Sequence, residues 1–384
     1  MGISLSDLLV CVSDAEKGKR KSKETVKYMM KCEYNTVQLW KDINNRTYVP
    51  DGNYAFVVLI PKPREIFATA FKNRVVHHYL YKRIMPLIEK NVPRRTFSNR
   101  KGLGGDRAIA NVYKDIWELS DKYTKDCWVM KVDLKGYFPN ASWQLAYNKL
   151  RDLVINEYDG EDKEDVLYLL HTCLFANAVN CCEKRGDVTL WRYIEPEKSL
   201  FNKPYGVGAA IGWLIWQMAM LYYLVDLDVF LDSQKGIRYS RFVDDIVIIG
   251  NDKHKLLQLM NSIRPIVKAN NCEINETKFY FQHYSKGLEF LGSHLKYKRI
   301  YLNNKTIHRL LCKIRFFNKV PDKVLYVNKF QQSLNSYFGM MKRRSERKLI
   351  YNLVFKYIDR DWWHYVKFNK HRCCVQIRKS YKYF

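Results

Sequence analysis

The sequence is short of acidic residues. Asp and Glu total 39 against 66 Lys and Arg, a formal net charge of +27. A surplus of this size repels itself unless a polyanion is near, so nucleic acid is the leading partner class. The ten cysteines form no C-x-x-C pair. That spacing argues against a disulfide framework and for reduced cytosolic thiols. His171, Cys173, Cys181 and Cys182 fall close together but lack regular ligand spacing, so zinc is set aside there. No uninterrupted membrane-length apolar run occurs. Residues 209–230 are the most apolar, yet they carry Gln217, Asp226 and Asp228 and read as a buried helix. There is no internal repeat, no low-complexity tract and no Walker loop. The glycine-rich stretch FSNRKGLGGDR at 97–107 has no Gly-Lys-Ser/Thr at the required spacing.

What is present is a globular composition, 47% hydrophobic over 384 residues, enough for two or three compact subdomains. Aromatics reach 15%, with 28 tyrosines, and Tyr among Lys and Arg suits base stacking beside phosphate contacts. The first fifty residues read as basic helices, with Ser4 or Ser6 capping the first. YAFVVLI, residues 54–60, reads as a strand stopped by Pro61 and Pro63. Residues 66–90 read as a helix, with His77 and His78 packing on it or contacting nucleic acid. CWVMKV, residues 127–132, reads as a strand that Asp133 terminates, and a helix follows from Ser142. A long helix covers the apolar run ending at Phe230, and the segment beyond about residue 300 reads as basic and helical.

The densest hydrophobic run, RYSRFVDDIVIIG at 238–250, is interrupted by Asp244 and Asp245. Burying two unpaired carboxylates costs several kcal/mol each, to an order of magnitude. If Phe242-Val243 end one strand and Ile246–Ile249 lie in the next, the pair sits at a tight turn and projects into a cleft. Oxygen donors of this kind suit hard divalent cations. Asp133 sits in a similar context, in MKVDLKGYF. Pairing of these strands brings three carboxylates together, as two-metal nucleotidyl transfer requires, with ions about 3.5–4 Å apart. Asp226 and Asp228 are a rival pair, but their i, i+2 spacing on a helix keeps them off a common face.

These residues resemble the reverse transcriptases over most of the chain. Asp133 to Phe138 resembles the strand–Asp–x4–aromatic element, and Phe242 to Asp245 the aromatic–x–Asp–Asp box. Between them, Ile211-Gly212 through Gln217 resembles the glycine-containing helix start. After them come a lysine loop, Asn275 to Lys278, and a primer-grip hairpin, Glu289 to Gly292. The Ile-Gly with a Gln five residues on resembles the box of diversity-generating retroelement enzymes. So do GKRK, PKPREI, NRVVHHYL, SNRKG and SLNSYFGMMK, although Trp216, Leu103 and Gly105 depart from that group's pattern.

The resemblance implies an α+β right-hand polymerase fold of fingers, palm with antiparallel sheet, and helical thumb. It divides the chain at 1–125 (basic extension and fingers), 126–298 (palm) and 299–384 (thumb). It implies an RNA-directed DNA polymerase making cDNA, error-prone at adenines, with two Mg²⁺ ions or Mn²⁺ in their place. Asp133, Asp244 and Asp245 would be catalytic and would hold the metal, joined by the backbone carbonyl of Leu134. Lys62, Arg64, Phe138, Ile211, Gly212, Gln217 and Lys278 would bind the nucleotide; Phe290, Leu291 and Gly292 would form the primer grip. Phe138 would clash with a ribose 2′-OH, and Lys278 would act as general acid or bind phosphate. Implied partners are template RNA, cDNA or primer, dNTPs and a small basic accessory variability protein, with no membrane and a cytoplasmic location. Retron, group II intron-like and antiphage reverse transcriptases are the alternatives, followed by a non-catalytic RNA-binding scaffold.

Overall fold

A computed structural model describes residues 2–344 and 346–381. The chain forms two compact units, each assembled from separate stretches. The first comprises 1–104, 130–248 and 253–280; the second comprises 105–129, 249–252 and 281–384.

The first unit opens with three helices, Leu5–Glu16, Lys23–Met29 and Cys32–Asn44. Ser4 caps the first, its Oγ accepting from the Asp7 amide at 3.1 Å. A hairpin follows, Tyr54–Val58 paired antiparallel with Arg64–Ala68. The expected helix therefore starts late. Ile66, Phe67 and Ala68 are strand, and the helix runs Phe71–Asn91. The reason is that Arg64–Ala68 has a ready partner strand, and ladder hydrogen bonds outweigh a weak helix preference. Within it, Glu65 points inward and accepts from Trp191 Nε1, Ser199 Oγ and the Leu200 amide. Alternation then turns Arg64 outward, and it is exposed.

The sheet that carries the aspartates has the order Ile237–Phe242, Asp245–Gly250, Trp128–Lys135, Glu273–Ile274. Its two central strands are apolar without alternation because both faces are covered. Ile246, Val247, Ile248 and Ile249 are all buried. Four such side chains contribute roughly 6–12 kcal/mol on burial, more than the several kcal/mol that desolvating one carboxylate costs. The strand containing Asp133 does not stop there. It continues to Lys135, so Asp133 lies within it, because Leu134 and Lys135 pair with Ile274 and Glu273.

Ser142 caps the helix Trp143–Glu157, as its position in the sequence suggests. The long apolar helix is two helices, Leu214–Tyr222 and Val225–Asp232. Together, Leu214–Asp232 is long and apolar enough to cross a membrane by length and composition, with mean hydropathy 1.5. Here it is largely buried inside the first unit, and Asp228 within it is ion-paired.

The second unit is mostly helical. In Lys323–Arg343, Val327, Phe330, Leu334, Phe338 and Met341 are buried at helical spacing. They join Leu310, Ile314, Leu353, Val354 and Trp362 in one core, where Phe330 and Trp362 stack at 3.8 Å and 3°. The helical reading of this segment is incomplete: Val366–Asn369 and Cys374–Ile377 form an antiparallel hairpin.

Candidate active site

Val243 and Asp244 form a two-residue reversal between Ile237–Phe242 and Asp245–Gly250, and Asp245 opens the second strand. Val243 takes φ 61°, while Asp244 does not join it at positive φ. Positive φ at the first central residue alone is the pattern of a type II′ turn, whose twist matches that of hairpin strands. Glycine is the usual residue there, and a β-branched side chain is strained by roughly 1–2 kcal/mol. The surroundings hold the turn. The Val243 amide donates to Ser98 Oγ at 3.3 Å, and Arg241 Nη1 donates to the Val243 carbonyl at 3.1 Å. Arg241 is itself fully buried and grips Asp228 through Nε at 2.8 and 3.1 Å. Its Nη2 donates both to Asp228 Oδ2 and to the Leu221 carbonyl, the latter at 2.8 Å.

Asp133 lies two strands' width into the same sheet, on the strand adjacent to Asp245–Gly250. Its Oδ2 accepts from Lys278 Nζ at 2.7 Å and from Asn275 Nδ2 at 3.2 Å. Its carbonyl accepts from the Asn275 amide at 2.8 Å. The short helix Glu276–Lys278 thereby delivers its lysine to the carboxylate. Lys131 Nζ lies 3.3 Å from Asp245 Oδ1.

The electrostatics tie the three carboxylates together. Asp244 is pushed up to about 6, first by burial, then by the negative charge of Asp245 and that of Asp133; Lys278 opposes the shift. Lys278 is raised by its hydrogen bond to Asp133. Among the described residues, no three His, Cys, Asp or Glu side chains are drawn together closely enough to hold an ion ready-made. Two ammonium groups instead sit on Asp133 and Asp245, where a cation is wanted. The donor set fits a hard divalent ion: hard oxygen ligands, excess negative charge, and resident cations on flexible stems. Leu134 is buried and beside Asp133, consistent with a contribution through its backbone only.

The rival pair is otherwise engaged. Asp226 pairs with Lys149 at 2.6 Å, and Asp228 is spent on Arg241.

The remaining candidates fall into three groups. Lys62 and Arg64 are exposed at the reversal of the first hairpin. Ile211 and Gly212 dock on that same hairpin, the Ile211 carbonyl accepting from the Phe67 amide at 2.8 Å. They lie in the turn before the helix, which begins at Leu214. Gly212 has φ +114°, and a Cβ there would come within 2.4 Å of the Phe67 carbonyl oxygen. Only glycine permits that approach. Gln217 lies a turn into the helix, its carbonyl accepting from Asn99 Nδ2 at 3.1 Å. Phe138 is half-buried, edge-on to Tyr137 at 5.6 Å, in a loop held by the Ala209 amide donating to the Phe138 carbonyl. Phe290, Leu291 and Gly292 belong to the second unit. Leu291 (φ 46°) and Gly292 (φ 74°) form a tight reversal between Leu288–Phe290 and Ser293–Lys296. The Gly292 carbonyl accepts from the Asn303 amide at 3.0 Å.

His77 is buried against Trp213, ring centroids 5.6 Å apart, with its imidazole lowered to about 3 by burial. It is a packing residue. Lys131, Asn275, Arg241 and Glu65 were not singled out as site residues by sequence. Lys131 could have been: two residues before Asp133 on a strand, it shares that face.

The sequence family described as reverse transcriptase (RNA-dependent DNA polymerase) matches residues 60–295. The chain belongs to this family. The match spans Asp133, Asp244, Asp245, Lys278 and the reversal at Phe290, Leu291 and Gly292. The fold is the family's α+β polymerase fold, with an antiparallel palm sheet carrying the aspartates. No curated protein matches the chain. Similar solved structures include an apo telomerase from Candida tropicalis truncated from its C-terminal domain, 12% identical with TM-score 0.43, covering 65% of this chain and 55% of that one. Another is telomerase from Candida albicans in complex with a TWJ fragment of telomeric RNA, 13% identical with TM-score 0.41, covering 84% of this chain and 62% of that one. The chain thus spans less than two thirds of either telomerase chain.

Proposed function

We propose that the protein is an RNA-directed DNA polymerase that extends a primer on template RNA with dNTPs. One observation carries this reading. On this rigid sheet, burial first and then the negative charges of Asp245 and Asp133 lift Asp244 to about 6. Carboxylates buried side by side are costly, and a divalent cation would offset that cost.

Asp133, Asp244 and Asp245, with the Leu134 carbonyl, would hold Mg²⁺. The ion supplies charge neutralisation at the reacting phosphate. The other residues prepare the substrate. Arg64 and Lys62 offer exposed cations to a triphosphate, and a guanidinium can bind it in a bidentate fork. Phe138 presents a ring to the nucleotide sugar and disfavours a 2′-OH. The Ile211-Gly212 turn, bonded to the strand that bears Arg64, borders the nascent pair. Lys278 keeps a proton on Nζ beside Asp133 and can release it to leaving pyrophosphate. The hairpin at Phe290, Leu291 and Gly292 would support the primer.

Within the family we place the chain among diversity-generating retroelement enzymes, with a small basic accessory protein as partner. This rests on Ile211-Gly212, Gln217 and the N-terminal segments. Primer extension on poly(rA)/oligo(dT) with Mg²⁺, run against Asp244→Ala, tests the polymerase. RNA binding without extension by the unsubstituted protein would favour a scaffold. The error spectrum opposite adenine for Ile211→Gln tests the subgroup role; an unchanged spectrum removes it.

A further inference from the structure

The second unit carries a surface that the polymerase reading leaves unused. The helix Arg347–Tyr357 and the hairpin Val366–Asn369/Cys374–Ile377 lie against each other. Tyr351 and Phe355, four apart on the helix, hold their rings nearly parallel, 5° between planes and 6.4 Å between centroids. Phe368 braces both edge-on, 5.7 Å from Tyr351 and 6.2 Å from Phe355. The Tyr351 hydroxyl donates to the Lys370 carbonyl at 3.0 Å and ties the hairpin tip down. The shelf is therefore rigid. It is also open, with Phe355 61% exposed.

The charge on the helix and hairpin themselves is of one sign. Residues 347–357 and 366–381 together hold eight Lys or Arg and no Asp or Glu. Lys370 reaches over the Phe355 ring at 6.0 Å, and Lys356, Lys367 and Arg372 are exposed nearby in sequence. A protein partner would meet this surface with carboxylates and apolar groups. An unpaired nucleic-acid strand meets both features at once, its bases on the rings and its phosphates on the cations.

We propose that this shelf binds single-stranded RNA, with Phe355 and Tyr351 as the stacking platform and the hairpin tip as the phosphate clamp. It reads no sequence, since every base has a π-face. It goes beyond the polymerase reading and does not need it.

The test uses the full chain and two fluorescent twelve-nucleotide strands: oligo(U) and an abasic ribose-phosphate of equal length. Phe355→Ala weakens oligo(U) binding about tenfold and leaves the abasic strand alone, while Phe355→Trp retains affinity. Lys370→Glu with Arg372→Glu weakens both strands and flattens the salt dependence. A 4-thiouridine strand cross-links within residues 347–381. Unchanged oligo(U) affinity in Phe355→Ala, or cross-links only elsewhere, overturns the proposal. A chain that fails primer extension yet shows these ratios loses the polymerase reading and keeps this one.

Discussion

Two groups of aspartates in the first unit obey different physics. Asp228 is wholly buried, and one guanidinium, equally buried, occupies its carboxylate. Asp133, buried, and Asp245, partly open, are each met by a lysine, and Lys278 is half-exposed. The first pair has no coordination left to give. Its Arg241 is locked by Asp228, the Leu221 carbonyl and the Val243 carbonyl. The second group holds its cations loosely, on stems that can swing away. A fixed pair shapes the turn; a displaceable one leaves room for a metal ion. The number of carboxylates is a poorer guide to chemistry than how firmly each is already paired.

The sharpest way to break this comparison is to remove one member of each group. Asp244→Ala should lower primer extension by about 1,000-fold or more, the rate equivalent of about 4 kcal/mol, with the melting temperature preserved. Arg241→Met should do the reverse in kind. It strands a buried carboxylate and costs about 3–5 kcal/mol of stability by denaturant titration, with activity falling because the turn loses its support. If the two variants show the same profile, the distinction fails.

A third prediction concerns pH. Asp244 is raised from its ordinary 3.8 to about 6 by burial and by Asp245 and Asp133. Between those values the folded chain keeps a proton that the unfolded chain releases. Metal-free stability from this group is therefore present below pH 3.8 and lost as pH rises toward 6. Asp244→Asn should flatten that part of the profile, and added Mg²⁺ should restore stability above pH 6 in the unsubstituted protein only. Chemical denaturation across pH with chelator and with Mg²⁺ measures both. The smallest effect is at Val243. Val243→Gly relieves the positive φ and should stabilise by up to about 1 kcal/mol in a thermal melt, since glycine's entropic cost offsets part of the gain.

Much of the site was legible because it is local. The Asp-Asp pair, the apolar strands around it and the Lys278 loop each carry their signal within a few residues. Residues 66–68 read as helix along the chain because the partner strand Tyr54–Val58, not their own periodicity, decides them. Asp133 seemed to end a strand because nothing nearby reveals that Leu134 and Lys135 pair with Ile274 and Glu273. Arg241 was invisible as a turn clamp. Its role exists only when Asp228, thirteen residues away, folds beneath it. Residues 105–125 follow the same logic: reading along the chain groups them with what precedes, while packing groups them with 281–384.

The sequence by itself determined the family, the basic surface and the carboxylates, because residue type and short spacing are written in the chain. Only the tertiary structure decided which carboxylate is spent on a guanidinium, which is held by a lysine, and how a valine is kept at positive φ. Those outcomes depend on contacts between segments far apart in sequence, and on how much water each contact excludes.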